Sequence, residues 1–171
     1  MQEKSHLRVL LETLPQRGKV EWIGVRPGRD EPIQELKSVD VGVDSGLEGD
    51  RFSGKAGSKR QVTLIQSEHL PVIASLLNQT SIEPSVLRRN IVVSGINLLA
   101  LKDKQFQIGE VDLLFTGLCQ PCSKMELALG PGGYNAMRGH GGITATVVKG
   151  GAILLGDTVS YRSSSAKITV K

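Results

Sequence analysis

The sequence contains few aromatic residues, only two cysteines and no long apolar run. Aromatic residues make up 4% of the chain, so few rings are available to stack on single-stranded bases, which argues against a nucleic-acid partner. Two cysteines cannot form a disulfide framework for a domain of this size, so Cys119 and Cys122 are interpreted as thiols in a reducing compartment. No apolar stretch suits a secretory signal or a membrane span. We therefore expect a cytoplasmic protein without a membrane partner.

The length and the net charge indicate the number of domains and the kind of ligand. The 171 residues are enough for one well-buried core and fit a single domain. The net charge is +4 at neutral pH, a mild basic excess that favours anionic partners without resembling a dense phosphate-binding tail.

Apolar patterning predicts mostly short strands. Leucines at helical spacing before Pro15 indicate one short amphipathic helix over residues 6–14. Alternating or β-branched runs predict strands at residues 20–25, 33–41, 60–65, 91–93 and 143–148. Residues 106–113 and 152–159 each contain a glycine-acid turn, at Gly109 and Gly156, and predict strand pairs or bent strands. Strands and helices do not alternate regularly, so we predict a mainly β, barrel-like fold with a few short helices. The predicted organisation is an N-terminal arm or short helix at 1–18, a barrel domain at 19–162 and a tail at 163–171.

The two cysteines are separated by Gln120 and Pro121, between a predicted strand and a short helical segment. A thiolate is stabilised at a helix N-terminus or beside a cation, and Cys122 has Lys124 two residues away. Three interpretations stay open: a redox dithiol, a metal ligand, or a pair of small buried residues. A structural zinc site would need four ligands, and the three histidines are scattered without ligand spacing.

A second feature is a set of basic residues beside glycines or at loop boundaries. The guanidinium group is a planar, permanently charged fork that suits phosphate, and nearby glycines allow backbone amides to approach an anion. The set comprises Arg51, Arg60, Arg88, Arg89, Arg138 and His140, with the Asn90 amide as a further contact.

Other polar residues receive structural interpretations. The glycine-rich stretch at residues 130–142 matches neither a P-loop nor a dinucleotide fingerprint and is either a mobile loop or a lid carrying Arg138. Asp50 is expected to orient Arg51 or to cap a turn, and His69 to be a packed side chain in a helix.

The order of these motifs resembles the MOSC domain family, named after the C-terminal domain of molybdenum cofactor sulfurase. The resemblance covers roughly residues 20–161 and is closest to the small stand-alone bacterial members. The motifs are residues 46–51, residues 60–65, Arg89-Asn90-Ile91, Cys122, and a closing Gly156-Asp157 before Val159.

The resemblance implies a β-barrel-like fold that binds the molybdenum cofactor (molybdopterin), an anionic phosphorylated pterin. The family cysteine, similar in position to Cys122, is a molybdenum ligand or a persulfide sulfur carrier. Cofactor contacts are expected from Arg51, Arg60, Arg89 and Arg138, with Asn90 and Lys124 as further candidates. Pyridoxal phosphate binding is also associated with the family as a whole, and no residue here is assigned to it.

The expected activity is therefore either reduction of N-hydroxylated compounds or sulfur transfer. Some relatives carry an additional N-terminal β-barrel domain, which we expect this chain to lack, so an electron-donor or sulfur-donor protein would be separate. The residues alone also allow a non-catalytic module for an anion or nucleic acid, and a dithiol redox protein.

Overall fold

The computed structural model describes residues 5–52 and 57–163. The predicted C-terminal tail lies outside the described residues except for Ser163. The strands are β1 (Arg17–Val25), β2 (Gln34–Leu36), β3 (Ser38–Gly42), β4 (Gly46–Leu47), β5 (Val62–Gln66), β6 (Ile91–Ser94), β7 (Gln105–Ile108), β8 (Val111–Leu118), β9 (Ile143–Lys149), β10 (Gly151–Leu154) and β11 (Thr158–Tyr161). The α-helices are α1 (His6–Glu12), α2 (His69–Leu76), α3 (Ser123–Leu129) and α4 (Gly133–Met137), and 3-10 turns occupy Pro84–Leu87 and Leu98–Leu101.

Seven strands form a closed barrel. Their order is β1-β6-β5-β9-β8-β7-β11, and β11 pairs with β1 to complete the ring. The β5–β6 pair is parallel and the other pairs are antiparallel. The start of β1 pairs with β11, whereas its end pairs with β2. The predicted β-barrel fold with short helices is confirmed.

A second, three-stranded sheet consists of β10, β3 and β4. The single strand predicted over residues 33–41 is in fact two strands, because the chain changes partner there. β2 pairs with β1 of the barrel, whereas β3 pairs with β10 in the second sheet.

Apolar side chains form two cores. The larger fills the barrel and contains the fully buried Phe106. The smaller lies outside the barrel wall, where α2, α3 and α4 cover the outward-facing Ile65 and Val92. Trp22 also belongs to this second core and is 8% exposed. The helices α2, α3 and α4 are therefore packed on one side of the barrel, and their positions depend on that apolar contact.

The predicted N-terminal helix forms as α1, with the Ser5 side chain accepting a hydrogen bond from the Arg8 amide at 3.3 Å. None of its residues is buried. No helix in the described part of the chain is long and apolar enough to cross a membrane.

Gly18 lies at the seam where β1 meets β11, opposite Val159. A Cβ atom there would lie 2.5 Å from the Ser94 carbonyl oxygen, so Gly18→Ala must displace backbone. We expect it to lower the free energy of unfolding by about 1–3 kcal/mol, measured by urea denaturation. Gly117→Ala is the control, because its Cβ would meet only the Thr144 hydroxyl at 3.5 Å. Equal stability of the two variants would contradict the prediction.

Candidate functional site

A cleft of about 560 Å³ is lined by residues that follow or precede several barrel strands. Because β5 and β6 are parallel, Arg60 and Asn90, which precede them, lie at the same barrel end. β1 runs antiparallel to β6, so Arg26, which follows β1, reaches that end too. The segment between β8 and α3 supplies Cys119 and Cys122. The topology thus collects residues that are far apart in the sequence.

The cleft carries a large excess of positive charge. Its cationic lining residues are Arg26, Arg51, Arg60, Arg88, Arg89 and Lys124. Among the described residues, the one carboxylate in the lining belongs to Asp50, which accepts hydrogen bonds from the backbone amides of Arg26 at 2.8 Å and Phe52 at 3.4 Å. Asp50 therefore caps a turn, which is one of the two roles expected for it. The arrangement favours an anionic ligand.

Arg26 shows the charge excess most directly. Its Nε atom is buried and has no hydrogen-bond partner among the described residues. Burial, followed by the charges of Arg88 and Arg51, lowers the pKa of Arg26 below its ordinary value. An anion placed in the cleft would relieve the repulsion between these guanidinium groups.

The two thiols have different environments. Cys122 is exposed and is the N-cap residue of α3, with Lys124 in the first turn, as the sequence predicted. Cys119 is buried at 2% exposure, and Arg60 Nη2 donates to its Sγ at 3.7 Å. Of the two thiols, Cys122 is therefore the one presented to an incoming ligand.

Arg89 lines the cleft but directs its donors at the protein backbone. It is 6% exposed. Its Nε donates to the Gly141 carbonyl at 2.7 Å, Nη1 to the Leu87 carbonyl at 2.8 Å, and Nη2 to the Cys119 carbonyl at 3.2 Å. Burial is the main cause that lowers the pKa of Arg89, and its interaction with Cys119 opposes this.

Asn90 also uses its side chain to hold the barrel together. Its Oδ1 accepts from the Thr63 amide at 3.1 Å and from the Thr63 hydroxyl at 2.9 Å. Its Nδ2 donates to the Gly24 carbonyl at 3.3 Å. The amide thus links β1, β5 and the start of β6, which are the strands that bring the cations together.

The structure gathers six of the seven sequence-predicted site residues: Arg51, Arg60, Arg89, Asn90, Lys124 and Cys122 all line the cleft. Arg138 is exposed at the end of α4 and is not among the lining residues. Its contact with a cofactor remains a prediction.

Two lining cations were absent from the predicted site. Arg26 directly follows β1, and this position was the signal that could have identified it. Arg88 belonged to the basic set but was not assigned to the site. It has a left-handed backbone with φ of 59°, an uncommon conformation for a residue other than glycine and one that is enriched at functional sites.

The glycine-rich segment is packed against the barrel. Part of it forms α4. Gly142 has φ of 84°, and a Cβ atom there would overlap the Leu64 carbonyl, so only glycine fits. This close approach gives the segment's end a packing role.

His69 and His140 form an edge-to-face pair with ring centroids 5.2 Å apart. The Nδ1 atoms of both rings are buried and lack hydrogen-bond partners among the described residues. Burial first, and then the charge of His140, lower the pKa of His69, whereas a backbone hydrogen bond with His140 and the charge of Glu68 oppose the shift. His69 is therefore a packed side chain, as expected from the sequence.

Comparisons with known proteins identify the family of this chain and structures with a similar fold. The sequence pattern described as the MOSC domain matches residues 51–160, and the chain belongs to the MOSC domain family.

Solved structures resemble the fold at low sequence identity. The YuaD protein of Bacillus subtilis superposes with a TM-score of 0.74 at 22% identity, covering 85% of this chain and 97% of that one. YiiM from Geobacillus stearothermophilus gives 0.68 at 17%, covering 85% and 75%. YiiM from Escherichia coli gives 0.67 at 19%, covering 87% and 71%. No curated protein sequence matches the chain significantly.

The lowered pKa of His69 predicts that the free energy of unfolding depends on pH. The folded-state pKa of His69 lies below the usual 6.5, so the unfolded chain takes up a proton first as the pH falls through about 6.5. Stability should be constant above that pH and decrease below it. We expect His69→Asn to flatten this decrease in urea titrations at several pH values. His6→Asn, on the exposed α1, is the control, and an unchanged slope in His69→Asn would refute the assignment.

Proposed function

We propose that the cleft binds the molybdenum cofactor and that the Cys122 thiolate is its protein ligand. One observation carries the proposal: an exposed thiol at the start of α3 lies in a cleft to which the described residues contribute six cationic side chains and one carboxylate.

The chemistry of the lining fits this group. Molybdenum favours a soft thiolate ligand, and Cys122 supplies one. A terminal phosphate needs guanidinium groups or other cations, which Arg51, Arg60 and Lys124 provide together with Arg26 and Arg88. The volume of about 560 Å³ falls within the range of roughly 300–1,000 Å³ typical of cofactor pockets.

The lining side chains would have two roles, cofactor binding and support of the cleft walls. The five cations named above neutralise the anionic cofactor, and the free Nε of Arg26 is an available donor. Arg89 and Asn90 line the same cleft and hold its walls through backbone contacts. Arg138 does not line the cleft, so we do not include it in the proposed binding set.

We further propose that the loaded protein reduces N-hydroxylated compounds. The bound cofactor would supply a two-electron redox centre, and a separate electron-donor protein would supply the electrons. Cys122 lies one residue before α3 and its carbonyl accepts from the Met125 amide at 2.8 Å. A thiol carried on a backbone that is held in this way suits a permanent ligand better than a carrier that must move between sites. Sulfur transfer through a Cys122 persulfide, from a separate sulfur-donor protein, is the alternative outcome.

The ligand assignment predicts different results for the two cysteines. Protein is purified from a host that makes molybdenum cofactor, and its molybdenum and pterin contents are measured. We expect Cys122→Ser to lose at least about tenfold of its molybdenum, because the thiolate ligand is gone. Cys119→Ser is the matched control and should retain the metal. Unchanged molybdenum in Cys122→Ser would overturn the assignment.

The two activities are separated on the same preparations. A reductase converts an N-hydroxylated substrate when supplied with a reduced viologen dye, and Cys122→Ser abolishes this. A sulfur carrier lacks that activity, and mass spectrometry of its Cys122 peptide shows a persulfide. The second result would replace the reductase proposal while leaving the cysteine assignment in place.

The charge excess predicts a phosphate-binding cleft. In titration calorimetry with inorganic phosphate, Arg88→Gln should bind about fivefold more weakly, corresponding to about 1 kcal/mol, because one cation of the lining is removed. Arg162→Gln is the control, since Arg162 pairs with Asp112 at 3.0 Å and does not line the cleft. Equal affinities of the two variants would argue against an anion site among these arginines.

A further inference from the structure

We propose that Arg89 is a positioning residue and does not contact the bound anion. Its guanidinium ties the cysteine loop, residues 119–122, to two neighbouring segments by donating to one backbone carbonyl in each of the three. The proposal rests on the proposed function only in treating Cys122 as the ligand whose position matters.

The contacts of Arg89 join three separate segments. Its guanidinium binds the carbonyls of Leu87 in the 3-10 turn, Cys119 in the cysteine loop and Gly141 before β9. The ion pairs found among the described residues do not involve Arg89. A buried cation without a carboxylate is retained only where hydrogen bonds satisfy it, and these carbonyls do so.

The cysteine loop is fixed at both ends. At one end, the Cys119 amide donates to the Gly142 carbonyl at 2.9 Å, and the Cys119 carbonyl accepts from Arg89 at 3.2 Å. At the other end, Cys122 caps α3, whose Met125 is 1% exposed in the second core. Gln120 and Pro121 alone separate these anchors, so a displacement of Cys119 is transmitted to Cys122.

Gly141 allows the contact to form. A Cβ atom at this position would overlap the Cys119 carbonyl oxygen and lie 3.3 Å from Arg89 Nη2. The backbone of Gly141 is not in the left-handed region, so the constraint on this residue is space and not conformation. Gly141→Ala therefore disturbs the clamp without altering the charge of Arg89.

Lysine can replace the charge of Arg89 but not its geometry. The planar fork reaches several acceptors in fixed directions, whereas one ammonium group on a flexible stem cannot. Comparison of Arg89→Lys with Arg89→Met therefore separates geometry from charge.

The experiment uses the cofactor-free protein, so its result does not depend on cofactor loading. The rate of Cys122 alkylation by iodoacetamide is measured against pH, and hydrogen exchange is measured at the Cys119 amide. Thiolate reactivity depends on neighbouring cations and on the helix terminus. We expect both Arg89→Lys and Gly141→Ala to slow alkylation at neutral pH by roughly tenfold and to accelerate exchange at Cys119. Gly117→Ala, two residues before Cys119 and with space for its Cβ, should match the wild type.

Three results would overturn the proposal. In the first, Arg89→Lys matches the wild type while Arg89→Met does not, which makes charge the cause. In the second, Arg89→Lys and Arg89→Met both lower the melting temperature without changing the alkylation profile of Cys122, which makes the role of Arg89 purely structural. In the third, Arg89→Lys loses phosphate affinity and keeps its alkylation profile, which makes Arg89 a ligand contact. If Arg89→Lys does not fold, Gly141→Ala decides between these outcomes.

If the wild-type protein never retains molybdenum, the proposed function is contradicted. The alkylation and exchange results would still stand, because they report on the cysteine loop alone. The two proposals can therefore fail separately.

Discussion

The buried guanidinium of Arg89 is the interaction on which the geometry of the cleft depends most. It binds carbonyls from the 3-10 turn, the cysteine loop and the turn before β9. The last two segments are also joined by the hydrogen bond from the Cys119 amide to the Gly142 carbonyl at 2.9 Å. Its contacts are carbonyl groups and not a carboxylate, so Arg89 adds its positive charge to the cleft. The same side chain thus fixes the wall that carries Cys122 and contributes to the field that would attract an anion.

Local sequence signals were sufficient for the fold class and for many of its strands. The glycine-acid turns at Gly109 and Gly156 were recognisable, and both glycines have left-handed φ values, 55° and 86°. The division of residues 33–41 between two sheets was not predictable in this way. It depends on pairings with β1 and β10, which are properties of the closed barrel and leave no local trace.

The site was predictable in composition more than in the roles of its side chains. Cys122 and most of the cations followed from motif order and from the chemistry of thiolates and guanidinium groups. Nothing in the spacing showed that Arg89 and Asn90 would use their donors on the backbone, because that depends on which carbonyls the packing brings near. Arg26 was missed because strand ends that are distant in sequence meet only in three dimensions. Arg88 was in the basic set, but its sequence position beside Arg89 did not show that it would line the cleft.

The closing pair of the barrel has a consequence for biosynthesis. Arg17 of β1 is paired with Ser160 of β11, near opposite ends of the chain. Contacts of such high sequence separation form late and slow folding. The ring of strands is closed only after β11 has left the ribosome. A ligand whose binding needs the closed barrel can therefore bind only after β11 has been synthesised, so binding follows the pairing of the two most distant strands instead of guiding it.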